Sequence, residues 1–447
     1  MTTCVKFVKH FFTWLSTKTK KLKPFGNEIF KRMKRMRFWS ITLAGLLLLG
    51  GCRTQERVYM EEEMDEHTLK MIQRPIQQRN NEFAFDLMRH LPEYEENFVI
   101  APFSISSALA MTYAGARGET QKQMATTLYF DPAQGRFHSG FGGYLNKLRD
   151  LTGEGLELNI ANSLWAQEDY PFRDAFFNRV EEHYGSLLYK VDFVGNREQV
   201  REDINDWVFE ETREKIRDLI APGVFTDDTR LVLVNAVHFF GPWMVEFDKE
   251  LTREMPFHTH DGERIMTDFM FRTEELKYYQ DDYLQALEIP YAGGNFSMML
   301  MLPAENKSLK DIEQKLGALK LLEIMNGMTK TEVEAMIPRF EAETKTDLED
   351  VLAEMGMPIA FSDRADFSGM TGEKDLKIDK VIHQAMIEVA EEGTEAAAAT
   401  AVVIIRKTAI DPEEEEKIIF RADRPFLFMV KDNFYDSILF MGRVNKP

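Results

Sequence analysis

The chain predicts an α+β protein with large sheets, because two kinds of stretch are mixed along it. Residues 158–166 (LNIANSLWA) and 231–240 (LVLVNAVHFF) are apolar runs rich in β-forming residues, as strands buried on both faces are. Around them lie charged stretches whose apolar residues recur at helical spacing. Length alone suggests about three domains. No Pro/Gly/Ser-rich linker and no internal repeat divides residues 76–447, so a single large core is predicted.

The elements follow in order. Residues 76–90 place Phe83, Ala84, Leu87 and His90 on one face of a first helix. Helical pattern continues over 103–125, with a break at Gly115. Residues 199–219 read as a charged helix with Ile204, Trp207, Val208 and Ile216 as its apolar face. Residues 286–302 predict two strands joined by a tight turn at Gly293-Gly294, and 418–444 is strand-like again.

Charge is unevenly spread. Of 55 Lys/Arg and 74 Asp/Glu, residues 1–52 hold 11 basic and one acidic (Glu28). The remainder therefore carries 44 basic against 73 acidic residues, a net −29. Such a surface excludes nucleic-acid or anionic-lipid binding through general electrostatics. The two cysteines, Cys4 and Cys52, both precede the domain, so it has no internal disulfide, Cys nucleophile or Cys-based metal site.

Residues 31–52 (KRMKRMRFWSITLAGLLLLGGC) set a basic cluster before an apolar run, Ile41 to Leu49, and then small residues before a cysteine. This is the order of a secretory signal, and the run is too short for an ordinary membrane-spanning helix. Leu49-Gly50-Gly51-Cys52 resembles the bacterial lipobox, which implies lipidation of Cys52. A plain signal with an incidental cysteine is the alternative. Residues 1–51 are read as the signal region, its true start at Met33 or Met36, and 52–75 as lipidated cysteine and acidic tether. The expected location is the bacterial cell envelope, anchored in the outer membrane, with the leaflet left open.

Enzyme signatures are lacking: there is no G-x-S-x-G, H-E-x-x-H, P-loop or G-x-G-x-x-G pattern. His258 and His260, two apart in a polar loop, read as solvated rather than metal-binding; His238 and His383 read as hydrogen-bonded core residues. No catalysis, metal or cofactor is expected.

Four motifs in order carry a resemblance over nearly all of 76–447. Asn97–Ile105 (NFVIAPFSI) is similar to the S-P-x-S-I segment of the serpins, and Thr229–Trp243 to their L-V-L-V-N-A-x-x-F-x-G-x-W core. Ala365–Met370 (ADFSGM) resembles the A-D-F-S-G turn, and Phe420–Phe428 the F-x-A-D-R-P-F-L-F signature. The resemblance implies a serpin fold: a large central mixed sheet, further sheets, about nine helices and an exposed reactive loop, here about 391–417.

Residues 391–400 (EEGTEAAAAT) resemble the hinge of inhibitory serpins, with Glu391, Gly393, Thr394, Ala396 and Ala398 as its defining positions. A loop that slides between strands needs small side chains where it first enters, and Gly393 supplies backbone freedom. At period two, Thr394, Ala396, Ala398, Thr400, Val402 and Ile404 share an inward face. The resemblance implies suicide inhibition of serine, and also cysteine, proteases: an acyl-enzyme forms on the loop, which then inserts. Counting in the family's common register puts the attacked bond at Lys407-Thr408; Arg406-Lys407 is one residue shorter, and the apolar Val403–Ile405 run is a third choice. The first two imply trypsin-like targets and the third elastase-like ones.

By the same resemblance, Asn235, His383 and Ser104 lock the sliding strands, and Trp243 lies beneath the point where the loop inserts. Ala101 stands where the family often has Ser, so the lock should have one hydrogen bond fewer. The expected partners are proteases, and a membrane through Cys52; the chain is expected to act as a monomer. A serpin-fold binding protein that is cut without trapping is the alternative.

Overall fold

The computed structural model describes residues 76–91, 96–153, 155–185, 188–394 and 417–447, all within the unit Lys70–Pro447. The signal region, Cys52, the tether, Ala396, Ala398, Arg406, Lys407 and Thr408 lie outside the described residues. The chain opens with α1 (Ile76–His90), β1 (Phe98–Ile100), α2 (Pro102–Tyr113), α3 (Gly118–Thr127) and α4 (Gln134–Leu151). Next come β2 (Glu157–Gln167), α5 (Asp174–Tyr184), β3 (Leu188–Val191), α6 (Arg197–Glu211) and β4 (Leu231–Pro242). The middle holds β5 (Arg253–His258), β6 (Arg264–Gln280), β7 (Leu284–Pro290) and β8 (Phe296–Pro303). Then follow α7 (Leu309–Glu313), α8 (Ala318–Gly327), β9 (Thr329–Pro338), β10 (Phe340–Asp347) and α9 (Glu349–Met355). The last strands are β11 (Lys380–Ala390), β12 (Gly393–Thr394), β13 (Ile418–Arg421), β14 (Phe426–Asp432) and β15 (Ile438–Val444).

Local sequence accounts for most boundaries. In α1, Phe83, Ala84 and Leu87 are buried, as their spacing predicts. His90 is not on that face: it is exposed, its Nδ1 2.8 Å from Asp86 O. α2 starts on Pro102, whose missing N–H is no loss at a first turn, and every one of its residues is buried. The helix expected over 199–219 ends early, at Glu211. Thr212 closes it with its hydroxyl on Val208 O (2.7 Å), and Arg213 and Glu214 then turn at positive φ. Ile216 still reaches the core, but from irregular backbone. At the β7–β8 turn, Gly293 and Gly294 have φ of 75° and 70°, a conformation that glycine adopts without strain.

Two sheets result. One is mixed and six-stranded, in the order β10-β11-β12-β4-β2-β3, with β2–β3 and β11–β4 parallel. The other has nine strands, running β1-β15-β14-β8-β7-β6-β9-β13 with β5 beside β6. β4 shows why the apolar run of 231–237 is continuous. Leu231, Leu233 and Val237 enter the main core, while Val232, Val234 and Ala236 pack beneath α6 with Trp165, Ile204 and Val208. Burying each such aliphatic side chain contributes about 1.5–3 kcal/mol. The six-stranded sheet is thus sandwiched, and the β4–β11 seam runs down its middle.

Candidate functional site

β4 and β11 pair directly from Val232↔Lys380 up to His238↔Met386. Above that level the two strands part, and β12 lies between them: Thr394 pairs with Gly241 and Val389, and Gly393 with Pro242 and Ala390. The hinge therefore already holds two residues of a new, antiparallel strand. Gly393 is required there. Its φ is 154°, and a Cβ would lie 2.2 Å from Gly241 O.

Thr394 is fully buried, its hydroxyl 2.7 Å from the Tyr291 hydroxyl. Trp243 stacks on Tyr291, with ring centroids 4.6 Å apart and planes 9° from parallel. The Trp243 indole N–H donates to Ala390 O and its backbone N–H to Glu392 O, both at 2.9 Å. Trp243 thus holds both sides of the bend between β11 and β12.

The two glutamates before the hinge are clamped. Glu391 is buried and accepts from Arg339 Nε (2.9 Å to Oε2) and Nη2 (2.7 Å to Oε1), and from the Thr252 hydroxyl (2.5 Å). Burial pushes its carboxyl up, but the hydrogen bonds from Arg339 and Thr252 outweigh this and hold it below the usual carboxylate range. Glu392 pairs with Lys249.

Halfway down the seam a second polar cluster sits in the core. Asn235 and His383 are direct register partners, and His383 Nδ1 lies 2.5 Å from Asn235 Oδ1. The Ala101 N–H donates to His383 Nε2 (3.3 Å), which fixes Nδ1 as the protonated nitrogen. Asn235 Nδ2 donates to Ser104 Oγ (2.6 Å) and to Asn162 Oδ1. Asn162 Nδ2 donates to Ser104 O (3.3 Å), tying β2 to the N-terminal end of α2. Each of these side chains is buried. Burial also pushes the His383 imidazole down to about 3, so it is neutral in the fold.

The sequence-predicted residues thus fall into two groups on one seam. Ser104, Asn235 and His383 form the lower cluster, whereas Glu391, Gly393, Thr394 and Trp243 form the upper one. Ala101, lacking a hydroxyl, contributes its backbone N–H. His258 and His260 stand exposed at the end of β5 and just beyond it, while His238 is buried within β4. Sequence reasoning missed Asn162, Tyr291, Thr252, Lys249 and Arg339. Asn162 left a signal, as an amide in the middle of an apolar strand directly opposite Asn235.

The lower cluster sets an acid limit on the fold. An unfolded imidazole takes up a proton near its model value of 6.5, whereas His383 resists until about 3. Its contribution to stability is full above pH 6.5 and is lost as pH falls toward 3. His138, pushed down to about 3 by burial and then by Arg179, adds a second such term. Each steepens the acid loss by about 1.4 kcal/mol per pH unit. His383→Gln keeps a donor and an acceptor without titrating, so its slope between about pH 6.5 and 4.5 should be smaller by one such increment. Urea unfolding across that range measures it; an unchanged slope would mean that His383 is protonated in the native state.

The comparisons with known proteins agree with this geometry. The family described as "Serpin (serine protease inhibitor)" matches residues 78–447. A serpin-like protein of Methanosarcina mazei is 34% identical over 438 residues, covering 93% of this chain and 99% of its own. Leukocyte elastase inhibitor of Bos taurus is 40% identical over 378 residues, 82% of this chain and 98% of its own. Among solved structures, uncleaved ovalbumin superposes with a TM-score of 0.77 at 32% identity, covering 84% of this chain and all of that one. With the family matched over residues 78–447 and the Thr229–Trp243 motif carrying β4 at the centre of the six-stranded mixed sheet, this chain belongs to the serpin family.

Proposed function

We propose that this serpin is an irreversible inhibitor of trypsin-like serine proteases, consumed in one turnover. The observation that carries the reading is β12: Gly393-Thr394 already occupies a strand position between β4 and β11. The protease nucleophile attacks the Lys407 or Arg406 carbonyl, forming an acyl-enzyme and releasing the amine of the following residue. The freed loop extends β12 down the seam, carrying the bound protease with it. Residues 396–401 (AAAATA) suit that path, because small side chains pass between packed layers. Asn235, His383 and Ser104 act as the lock that must open, and Trp243 with Tyr291 as the seat that starts insertion. On this reading the chain is not an enzyme but a single-use substrate.

The same proposal places the protein in a bacterial envelope, held by lipid on Cys52, with the acidic stretch 61–66 as a solvated spacer. The domain acts there as a monomer, trapping proteases that reach the membrane surface.

Incubation with trypsin and a denaturing gel tests the central reading. A band of inhibitor plus protease stable to denaturant is expected; a clean cleavage product alone would mean a binding protein that is merely cut. Thr394→Arg puts an unpaired charge into a fully buried site, a cost of several kcal/mol. Each 1.4 kcal/mol is tenfold in rate, so insertion should slow by about a hundredfold or more, and cleaved product should replace complex. Wild-type yields of complex from this variant would mean that trapping does not depend on the strand position Thr394 already fills.

Cys52→Ala should move the protein from the detergent phase to the aqueous phase on partitioning, with loss of N-terminal acyl mass. Unaltered partitioning, with no lipid on the wild-type N-terminus by mass spectrometry, would remove the anchor.

A further inference from the structure

The register at the top of the seam assigns a destination to each loop residue. Gly393 lies between Pro242 and Ala390, and Thr394 between Gly241 and Val389. β4 and β11 keep that same offset down to Val232↔Lys380, so a strand growing from Thr394 meets both without a slip. Continued one residue at a time, it brings Thr400 between Asn235 and His383, and Val403 between Val232 and Lys380. Ile404 to Lys407 then run about 13 Å past that last pair, at about 3.3 Å per residue. Arg406 and Lys407 arrive level with Asp228 and Thr229 on one side and Leu376 and Lys377 on the other.

A cavity of about 260 Å³ is already present there, lined among others by Asp228, Arg230, Asp375, Leu376, Lys377 and Asp379. Its cations are engaged. Lys377 pairs with Asp363 at 2.9 Å, Lys374, also on the lining, pairs with Asp366 at 2.8 Å, and Arg230 Nη1 donates to the carbonyls of Asp227 and Thr229. Asp379 accepts from the backbone N–H groups of Arg230 (3.0 Å) and Leu231 (3.3 Å). Asp228 and Asp375 have no Lys or Arg within ion-pair distance among the described residues.

We infer that this cavity at the foot of the seam is a receiving site for the basic end of the cleaved loop, Arg406-Lys407. The inference rests on the insertion proposed above and adds to it a residue-level destination. Counting on at the same offset beyond the last strand pair brings Lys407 toward Asp228, in the turn before β4, and toward Leu376 and Asp375, in the segment before β11. The cleaved end carries basic side chains, and Asp228 and Asp375 are the carboxylates of the cavity that such side chains would pair with. The basic residues that select the protease therefore also anchor the inserted strand.

The test compares thermal midpoints of intact protein and of the fraction that trypsin cuts without being trapped, separated from the complex by size and with the cut mapped by mass spectrometry, for wild type and Asp228→Asn/Asp375→Asn. Both positions are exposed, and asparagine keeps the acceptor that Asp375 offers Thr371. The readout is the rise from intact to cleaved within each chain, so any shift of the intact variant cancels. In low salt the variant's rise should be smaller by about 2–4 °C. That gap should close in about 1 M salt, where the screening length is about 3 Å. Equal, large rises in both chains would overturn the receiving site and leave insertion standing. No rise in the wild type would overturn insertion itself, and the site with it.

Discussion

The hydrogen bond between His383 and Asn235 is the point on which this molecule turns. It joins the two parallel strands that would have to part, at mid-height, with every contributing side chain buried. Parallel strands are slightly less stable per residue than antiparallel ones, and here the parallel pair stands between antiparallel ladders. An antiparallel strand placed between β4 and β11 would replace one weaker ladder with two stronger ones. In the proposed mechanism the polar cluster and the uncut loop hold the native state back from this.

The upper cluster complements the lower one. There the strands have already parted, and Gly393-Thr394 fills the gap under Trp243 and Tyr291. Arg339 and Lys249 fix the two glutamates that precede it, so the hinge is seated in register while the rest of the seam stays shut. A strand that begins in register has no search to make, and loop-closure entropy falls accordingly. In the proposed mechanism this favours insertion over deacylation, because the two compete from the same acyl-enzyme.

Much of this was legible in the sequence, for physical reasons. The run LVLVNAV must be buried on both faces, and its lone amide must therefore find partners; Asn235 is conspicuous on those grounds alone. The extended conformation of Gly393-Thr394 was legible because a glycine before a run of small residues fits neither an ordinary helix nor a linker. Contacts between distant segments were not. Arg339 reaches Glu391 and Tyr291 reaches Thr394 across long stretches of chain, and nothing local marks either side chain for that role. The end of α6 was misplaced because Ile216 keeps the apolar spacing although the backbone has left the helix at Glu211. The cavity at the foot of the seam joins residues near 230 and near 376, a proximity that only the parallel pairing creates.

The central claim is that the seam opens and takes in the loop as a strand. Backbone hydrogen exchange of intact and cleaved protein, resolved by residue, reads it directly. The account predicts that residues 395–405 gain strong protection on cleavage, together with slower exchange at 235–238 in β4 and 383–386 in β11. Rapid exchange of 395–405 in the cleaved protein, with the seam unchanged, would contradict it.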